Sequence, residues 1–334
     1  MRPKVSVIIP TYQRGYLVGQ AIESVLAQTY ADYEIIVIDD ASTDNTMVVL
    51  DGFKDRIKII HLEENRSVGA ARNAGILASQ GDYVAFLDSD DLWVSEKLRK
   101  QIDLFRTNTN IGLVYSDFSY FDENGIEPST SFEKNGGGKR GTIHRDVFMG
   151  GPISTLTATV RRTCLDKVGL FDETLPACED LDMWLRITAS YQVDFVNEPL
   201  SLYRFSPNQL HKYEGREKTL LGRLGARKKA YMKSYDIRHL DRTILDKCFF
   251  NEYLELALIY IEENKMLAAR QVLNQYAQMR GCNYQYVRHW ILSYFPAPIL
   301  NITKALRPWI ASCLPQPILK ITKELRNSRR SKGA

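Results

Sequence analysis

Asp88, Ser89, Asp90 and Asp91 stand together directly after an apolar run, Tyr83–Leu87, and acids placed that way suit the capture of a hard divalent cation. Crowded carboxylates repel one another, which raises their pKa values, and a cation gives their oxygens a compensating partner that can in turn hold a diphosphate. An acidic turn that caps the following helix would leave the same letters. A second pair, Asp39-Asp40, follows the run Glu34–Ile38 in the same manner. Asp40 can accept from the imide N–H of a base; capping of the next helix by Asp40 or Ser42 is the simpler role and is compatible with it. Pro10-Thr11-Tyr12 closes a third apolar run and offers a rigid turn with an aromatic face for a nucleobase, or only the bend between a strand and a helix. Asn65–Gly75 (NRSVGAARNAG) opens a helix with small residues and Arg72. Small residues let the backbone approach a ligand and a helix N-terminus favours anions, so nucleotide binding fits this segment, as does tight packing on a sheet. Neither GxxxxGK[ST] nor a GxGxxG after the first strand is present, so the P-loop and the usual dinucleotide fingerprint are excluded.

The elements that must position these residues follow from periodicity. Val5–Ile9, Glu34–Ile38, Ile57–His61 and Tyr83–Leu87 are short, β-branched and continuous enough for buried strands. Between them, Val18, Ile22, Val25 and Leu26, then Val48, Val49 and Phe53, recur at helical spacing, and a third helix is expected from Gly69 to Ser79, closed by Gly81. Strands alternating with helices predict a mainly parallel sheet covered on both faces, with ligands beyond the carboxyl ends of the strands. Pro10–Tyr12, Asp39-Asp40 and Asp88–Asp91 then share one rim. Ser95 is the expected N-cap of the next helix, Ile111–Phe121 a strand, Asn124–Gly141 a mobile loop, residues 154–160 a strand, and Val193–Phe205 one or two strands. Leu181, Trp184, Leu185 and Thr188 form a helical stripe after Glu179-Asp180. From about Gly215 the chain reads as helical, with no second copy at a fixed period to support a solenoid.

The 334 residues are 44% hydrophobic and 25% charged, an ordinary globular composition. No apolar run reaches the roughly 18–20 residues of a membrane span, no leader is visible, and the five cysteines form no CxxC pair, so a cytoplasmic location is expected, peripheral to the inner face of the cell membrane if the tail binds lipid. The net charge of +4 arises in residues 284–334, where nine Lys or Arg face the single acid Glu324. There Ile299, Ile302, Leu306, Trp309 and Ile310, then Ile318, Ile321 and Leu325, recur at helical spacing among the cations. Such a stretch suits an anionic membrane surface, or packing on the rest of the chain with a solvated basic face. The expected division is residues 1–212, a helical extension at 213–283 and a basic amphipathic tail at 284–334.

VSVIIPTYQR, IIVIDDASTDNT, NRSVGAARNAG, GDYVAFLDSDDLW and ED followed by LDMWLR, in that order over residues 4–206, resemble the inverting family 2 glycosyltransferases. The resemblance implies a GT-A fold, an α/β architecture whose mainly parallel central sheet is flanked by helices, here followed by an all-helical extension. It implies that Pro10, Tyr12 and Asp40 contact the nucleoside, that Arg72 lies near the nucleotide, and that Asp88 and Asp90 form the metal-binding pair for Mn2+ or Mg2+, with Asp91 secondary. Direct displacement at a sugar requires a carboxylate that takes the acceptor proton. In the family that base is the Asp of the ED pair, here Asp180, although a cap on the following helix leaves the same residue. Arg204 or His211 is the expected contact to the leaving group, but YRFSPNQLH departs from the commoner close spacing of Arg and His. The implied partners are a nucleotide-sugar donor, most commonly a UDP-sugar, and a saccharide or lipid-linked acceptor in cell-surface polysaccharide synthesis; no nucleic acid is expected. A sugar-phosphate nucleotidylyltransferase is the competing enzyme class, for which PTYQRG is a poor phosphate loop, and a non-catalytic nucleotide-sugar binder is the competing binding protein.

Overall fold

The computed structural model describes residues 4–205 and 215–279. His211 and the tail at 284–334 lie outside them. The chain forms two compact units, Met1–Ala269 and Arg270–Ala334, and only residues 270–279 of the second are described.

Strand β1 (Val5–Thr11) is buried along its whole length and lies between β2 (Tyr33–Asp39) and β4 (Tyr83–Phe86), parallel to both; β3 (Lys58–His61) extends the sheet beyond β2. Helices at Val18–Leu26, Thr46–Asp51 and Val68–Ala78 make the crossovers that parallel pairing requires. Thr11 sits opposite Asp39, and the Leu87 N–H donates to the Ile8 carbonyl, so β1, β2 and β4 end on one rim as expected. The Val68–Ala78 helix comes so close to the sheet that a Cβ on Gly75 would stand 2.6 Å from an Ile8 methyl. Its small residues therefore serve tight packing, whatever else they do. Gly81 does not close this helix, whose C-cap is Ser79; it lies against β1, its N–H donating to Ser6 Oγ.

Beyond β4 the sheet becomes mixed. Its order is β3-β2-β1-β4-β8-β6-β9-β5, where β8 is Thr159–Arg161, β6 Ile111–Asp122, β9 Gln192–Arg204 and β5 Leu92–Trp93. The short β8 runs antiparallel to both β4 and β6, while β9 is parallel to β6. The parallel pattern of the first hundred residues thus holds for β1 to β4. Two N-cap expectations fail. Ser42 Oγ accepts from Gln13 N instead of capping a helix, and the helix Lys97–Thr107 takes its first-turn acceptor from Gln28 Oε1, which receives the Leu98 N–H, not from Ser95.

Asn124–Gly141 is not an open loop. It contains β7 (Gly125–Thr130), paired antiparallel to β6, and a short helix, Ser131–Asn135, with a reciprocal capping box between Thr130 and Glu133. Gly136 and Gly137 take φ of 85° and 88°, a left-handed region that costs glycine little. Residues 154–160 are also only partly strand: Thr155–Thr157 is a 3-10 turn and β8 begins at Thr159. After residue 215, helices at Arg216–Lys233 and Arg242–Glu262 pack into the same unit as the sheet. A buried Arg227 pairs with Glu252, and its Nε donates to the Phe148 carbonyl at 2.8 Å. At Gly222 the helix lies against the backbone of Ala177, leaving no room for a side chain. The extension thereby braces the segment that leads into Glu179-Asp180.

Candidate active site

The rim carries a cleft of about 530 Å3 whose walls include Pro10, Tyr12, Asp40, Arg72, Asp88 and Asp90. Six of the expected site residues are thus brought together. The loop after β1 is fixed against the loop after β2 by Gln13, whose Oε1 accepts from Asp44 N and whose Nε2 donates to Thr43 Oγ1, while its backbone takes a φ of 53°. Such a conformation in a non-glycine residue is held only by its surroundings. Tyr12, 44% exposed, is left standing at the mouth.

Asp40 is buried and does not cap the helix that follows it. Its Oδ1 accepts from Arg66 N at 2.9 Å and its Oδ2 from Ser67 N at 3.2 Å, so it holds the turn that opens the Val68–Ala78 helix. Each carboxylate oxygen retains a second lone pair for a ligand donor.

Arg72 is buried in the cleft wall. Its Nη2 donates to Asp88 Oδ1 and its Nη1 to Glu179 Oε1, both at 2.6 Å, and the guanidinium lies 5.7 Å from the Phe171 ring centroid. Burial alone would lower its pKa, but the carboxylates of Asp88, Glu179 and Asp180 outweigh that cost and raise it, so Arg72 stays charged. One cation therefore ties the acid cluster after β4 to the start of the helix Glu179–Thr188. Glu179, to which the sequence assigned no role, is 8% exposed, and its pKa is raised by burial against the opposing pull of Arg72.

Asp180 does not line the cleft; it stands next to Glu179 in the first helical turn. Its Oδ1 accepts from Leu181 N at 2.7 Å and its Oδ2 from Thr155 Oγ1 at 2.9 Å. The 3-10 turn carrying Thr155 is pinned in turn: Trp93 Nε1 and Ser201 Oγ donate to the Leu156 carbonyl, and Gln101 Nε2 to the Thr157 carbonyl. The Trp of DSDDLW thus supports the partner of Asp180.

The three acids after β4 have different surroundings. Asp88 faces the cleft and Arg72. Burial, then the neighbouring Asp88 charge, raises the pKa of Asp90, and Arg14 Nε stands 3.8 Å from its Oδ2. Asp91 is 2% exposed and accepts from Arg204 N at 2.8 Å. Arg204 does not line the cleft: its Nε donates to the Asp90 carbonyl, its Nη2 to Gln20 Oε1, and its guanidinium lies 4.4 Å from the Phe121 centroid. Three of its donors, N, Nε and Nη2, are engaged by Asp91, the Asp90 carbonyl and Gln20, so it holds the acidic loop in shape. Among the described residues no three His, Cys, Asp or Glu converge as a closed metal cage. Asp88 and Asp90, two carboxylates lining this cleft, fit a hard cation that would complete its coordination with ligand phosphates and water, the usual arrangement for Mg2+.

Burial, with Asp88 and Asp90 adding to it, raises the Asp91 carboxyl well above the ordinary range. The folded state then holds this proton to higher pH than the unfolded chain, so the charged side chain costs stability that sets in as pH rises through the ordinary carboxylate range. Asp91→Asn keeps an oxygen for the Arg204 N–H and removes that cost. With a chelator present, the variant is expected to melt on the order of 2 °C above the unsubstituted protein near pH 7, and the gain should vanish near pH 3. A gain equally large at both values contradicts the account.

The chain matches the family described as Glycosyl transferase family 2 over residues 6–168. It is 30% identical over 224 residues to a putative teichuronic acid biosynthesis glycosyltransferase, TuaG, of Bacillus subtilis (strain 168), covering 65% of this chain and 86% of that protein. It is 32% identical over 216 residues to the Escherichia coli UDP-Glc:alpha-D-GlcNAc-diphosphoundecaprenol beta-1,3-glucosyltransferase WfgD, covering 64% of this chain and 81% of the relative. Among solved structures, S. aureus TarS 1-349 in complex with UDP-GlcNAc shares the fold with a TM-score of 0.55 at 17% identity, over 84% of this chain and 93% of that one. Mannosyltransferase PcManGT from Pyrobaculum calidifontis, in complex with GDP-Man and Mn2+, gives a TM-score of 0.57 at 18% identity, over 97% and 84%. These likenesses show a GT-A architecture for the sheet and its helices.

Proposed function

The chain belongs to glycosyltransferase family 2, and we propose that it transfers a sugar, with inversion, from a nucleoside diphosphate donor to a hydroxyl of a saccharide or lipid-linked saccharide in bacterial cell-surface polysaccharide synthesis. The observation that carries this reading is the Arg72 bridge, which joins the acids of the cleft to the helix that starts with Glu179-Asp180. Nucleotide recognition, diphosphate and proton acceptor thereby fall on one connected frame.

Tyr12 offers the base an aromatic face, and Asp40 presents its spare lone pairs to the nucleoside. Asp88 and Asp90 would hold Mn2+ or Mg2+, which, when bound with the donor, neutralises charge on the departing nucleoside diphosphate. Asp180 takes the proton of the acceptor hydroxyl as its oxygen attacks the anomeric carbon on the face opposite the diphosphate, and the bond to the diphosphate oxygen breaks. Thr155 fixes the orientation of that carboxylate. Arg72 stands between Glu179 and Asp88 and offsets their mutual repulsion. Arg204 acts through the loop of Asp90 and Asp91.

A UDP-sugar is the favoured donor, supported by the UDP-Glc named for the E. coli relative and the UDP-GlcNAc bound to TarS. The diphosphoundecaprenol-linked substrate in the same relative's name supports a lipid-linked acceptor. Association of residues 284–334 with an anionic membrane surface would place the site beside such an acceptor; among the described residues no helix is long and apolar enough to cross a membrane. A thermal-shift panel of nucleotide-sugars with Mn2+ tests the donor assignment. At a hundredfold excess over Kd a ligand stabilises by about 2.7 kcal/mol, so UDP-sugars should raise the melting temperature by several degrees and free sugars should not. Equal responses to UDP-, GDP- and dTDP-sugars would remove the preference for uridine.

A further inference from the structure

A second cavity, about 480 Å3, shares no wall with the nucleotide cleft. It lies between the end of β6, the Ser131–Asn135 helix and the strap from Met149 to Ser154. The strap runs directly into Thr155, whose hydroxyl holds Asp180, so the cavity adjoins the side of the site that carries the proton acceptor. Its chemistry is mixed in a particular way. Tyr120 supplies an aromatic ring, braced by the buried Phe118 at 5.2 Å between centroids and carrying the Lys134 ammonium 4.6 Å from its own centroid, and Met149, 44% exposed, adds an apolar lip. Lys139 and Asp146 face each other at 3.4 Å and balance in charge. Asn135 donates from Nδ2 to the Ser131 carbonyl, which leaves its Oδ1 without a partner among the described residues.

From this we infer that the cavity is a subsite for a neutral pyranose ring of the acceptor, a statement that rests on the transferase reading above. A sugar presents C–H faces that pack on aromatic and thioether surface, and a rim of hydroxyls that pair with carboxylate, ammonium and amide groups. Phosphates find no excess cation here, since Lys139 is matched by Asp146 and Lys134, over the Tyr120 ring, by Glu127. The subsite would then anchor one ring of the acceptor beside the strap that leads to Thr155, while the acceptor's reacting hydroxyl meets the donor at Asp180. The segment that supplies the helix and part of the wall is held by its capping box and by Gly138, where a Cβ would stand 2.5 Å from the Phe195 ring. Such packing makes it a formed wall.

Saturation-transfer NMR on the full chain tests this, with UDP as one probe and the methyl glycosides of glucose, galactose, mannose and N-acetylglucosamine as the others. At least one glycoside should receive saturation from the unsubstituted protein, and Tyr120→Ala and Met149→Ala should each weaken its binding by about fivefold, the worth of an aromatic or thioether contact, while UDP binding stays unchanged. Tyr120→Phe should restore it. Met149→Ala, at an exposed position, carries the test if Tyr120→Ala fails to fold. Failure of every glycoside to bind, or binding untouched by both substitutions, overturns the subsite. Failure of UDP to bind would instead count against the donor reading.

Discussion

Replacing Asp180 with Asn is expected to lower kcat for sugar transfer by about 10^2–10^4-fold, the usual contribution of a positioned general base, with little change in donor KM. The substitution is nearly isosteric. An amide can still accept from the Leu181 N–H and donate to the Thr155 hydroxyl, the two partners that hold the carboxylate now. Arg72 keeps Asp88 and Glu179 as partners, so the cleft should stay intact and the melting temperature close to that of the unsubstituted protein. Steady-state kinetics with the donor varied check both halves of the expectation. An Asn variant that turns over at the full rate would remove Asp180 from the chemistry and leave it a first-turn acid of its helix. Such a turn favours acids whatever their function.

Asp90→Ala is expected to lower transfer by about a thousandfold, because the charge stabilisation that a divalent ion offers a departing diphosphate amounts to several kcal/mol. The extra thermal stabilisation that Mn2+ adds to UDP should disappear in the same variant, while that given by UDP without the ion should change little. Removing this side chain also relieves repulsion, since burial and Asp88 already hold its carboxyl above the ordinary range. The apo variant should therefore be no less stable than the unsubstituted protein near neutral pH, which separates a lost ligand from a damaged fold. Calorimetry of Mn2+ with UDP against both proteins reads the difference directly; equal ion-dependent affinity would move the ion elsewhere.

The rim was legible in the sequence because each of its acids follows its own strand without interruption, and a parallel sheet delivers strand ends to one edge. The ties between the parts of the site were not. Arg72 and Glu179 are 107 residues apart, and Arg204 reaches Asp91 across 113; such pairs leave no periodic trace in a single chain. The sequence alone therefore does not show that Arg204 holds the acidic loop through Asp91 and the Asp90 carbonyl. In residues 124–141 the glycines suggested mobility, but they supply left-handed turns and close packing. Thr130-x-x-Glu133 was the readable sign of the helix there. Residues 154–160 alternate like a strand, yet the carbonyls of Leu156 and Thr157 are taken by Trp93, Ser201 and Gln101, which hold the chain in a turn that presents Thr155 to Asp180. Local rules make Ser42 and Ser95 caps, and Gln13 and Gln28 override them from outside those helices.

The central claim is that one frame, from Asp40 through the Arg72 bridge to Asp180, carries an inverting transfer from a nucleoside diphosphate. Proton and phosphorus NMR of a single reaction, with an α-linked UDP-sugar, Mn2+ and an acceptor glycoside, follows both products at once. The account predicts that UDP appears in step with a new β-anomeric signal, and that both stop when a chelator is added. Pyrophosphate in place of UDP, or an α-linked product, would contradict it.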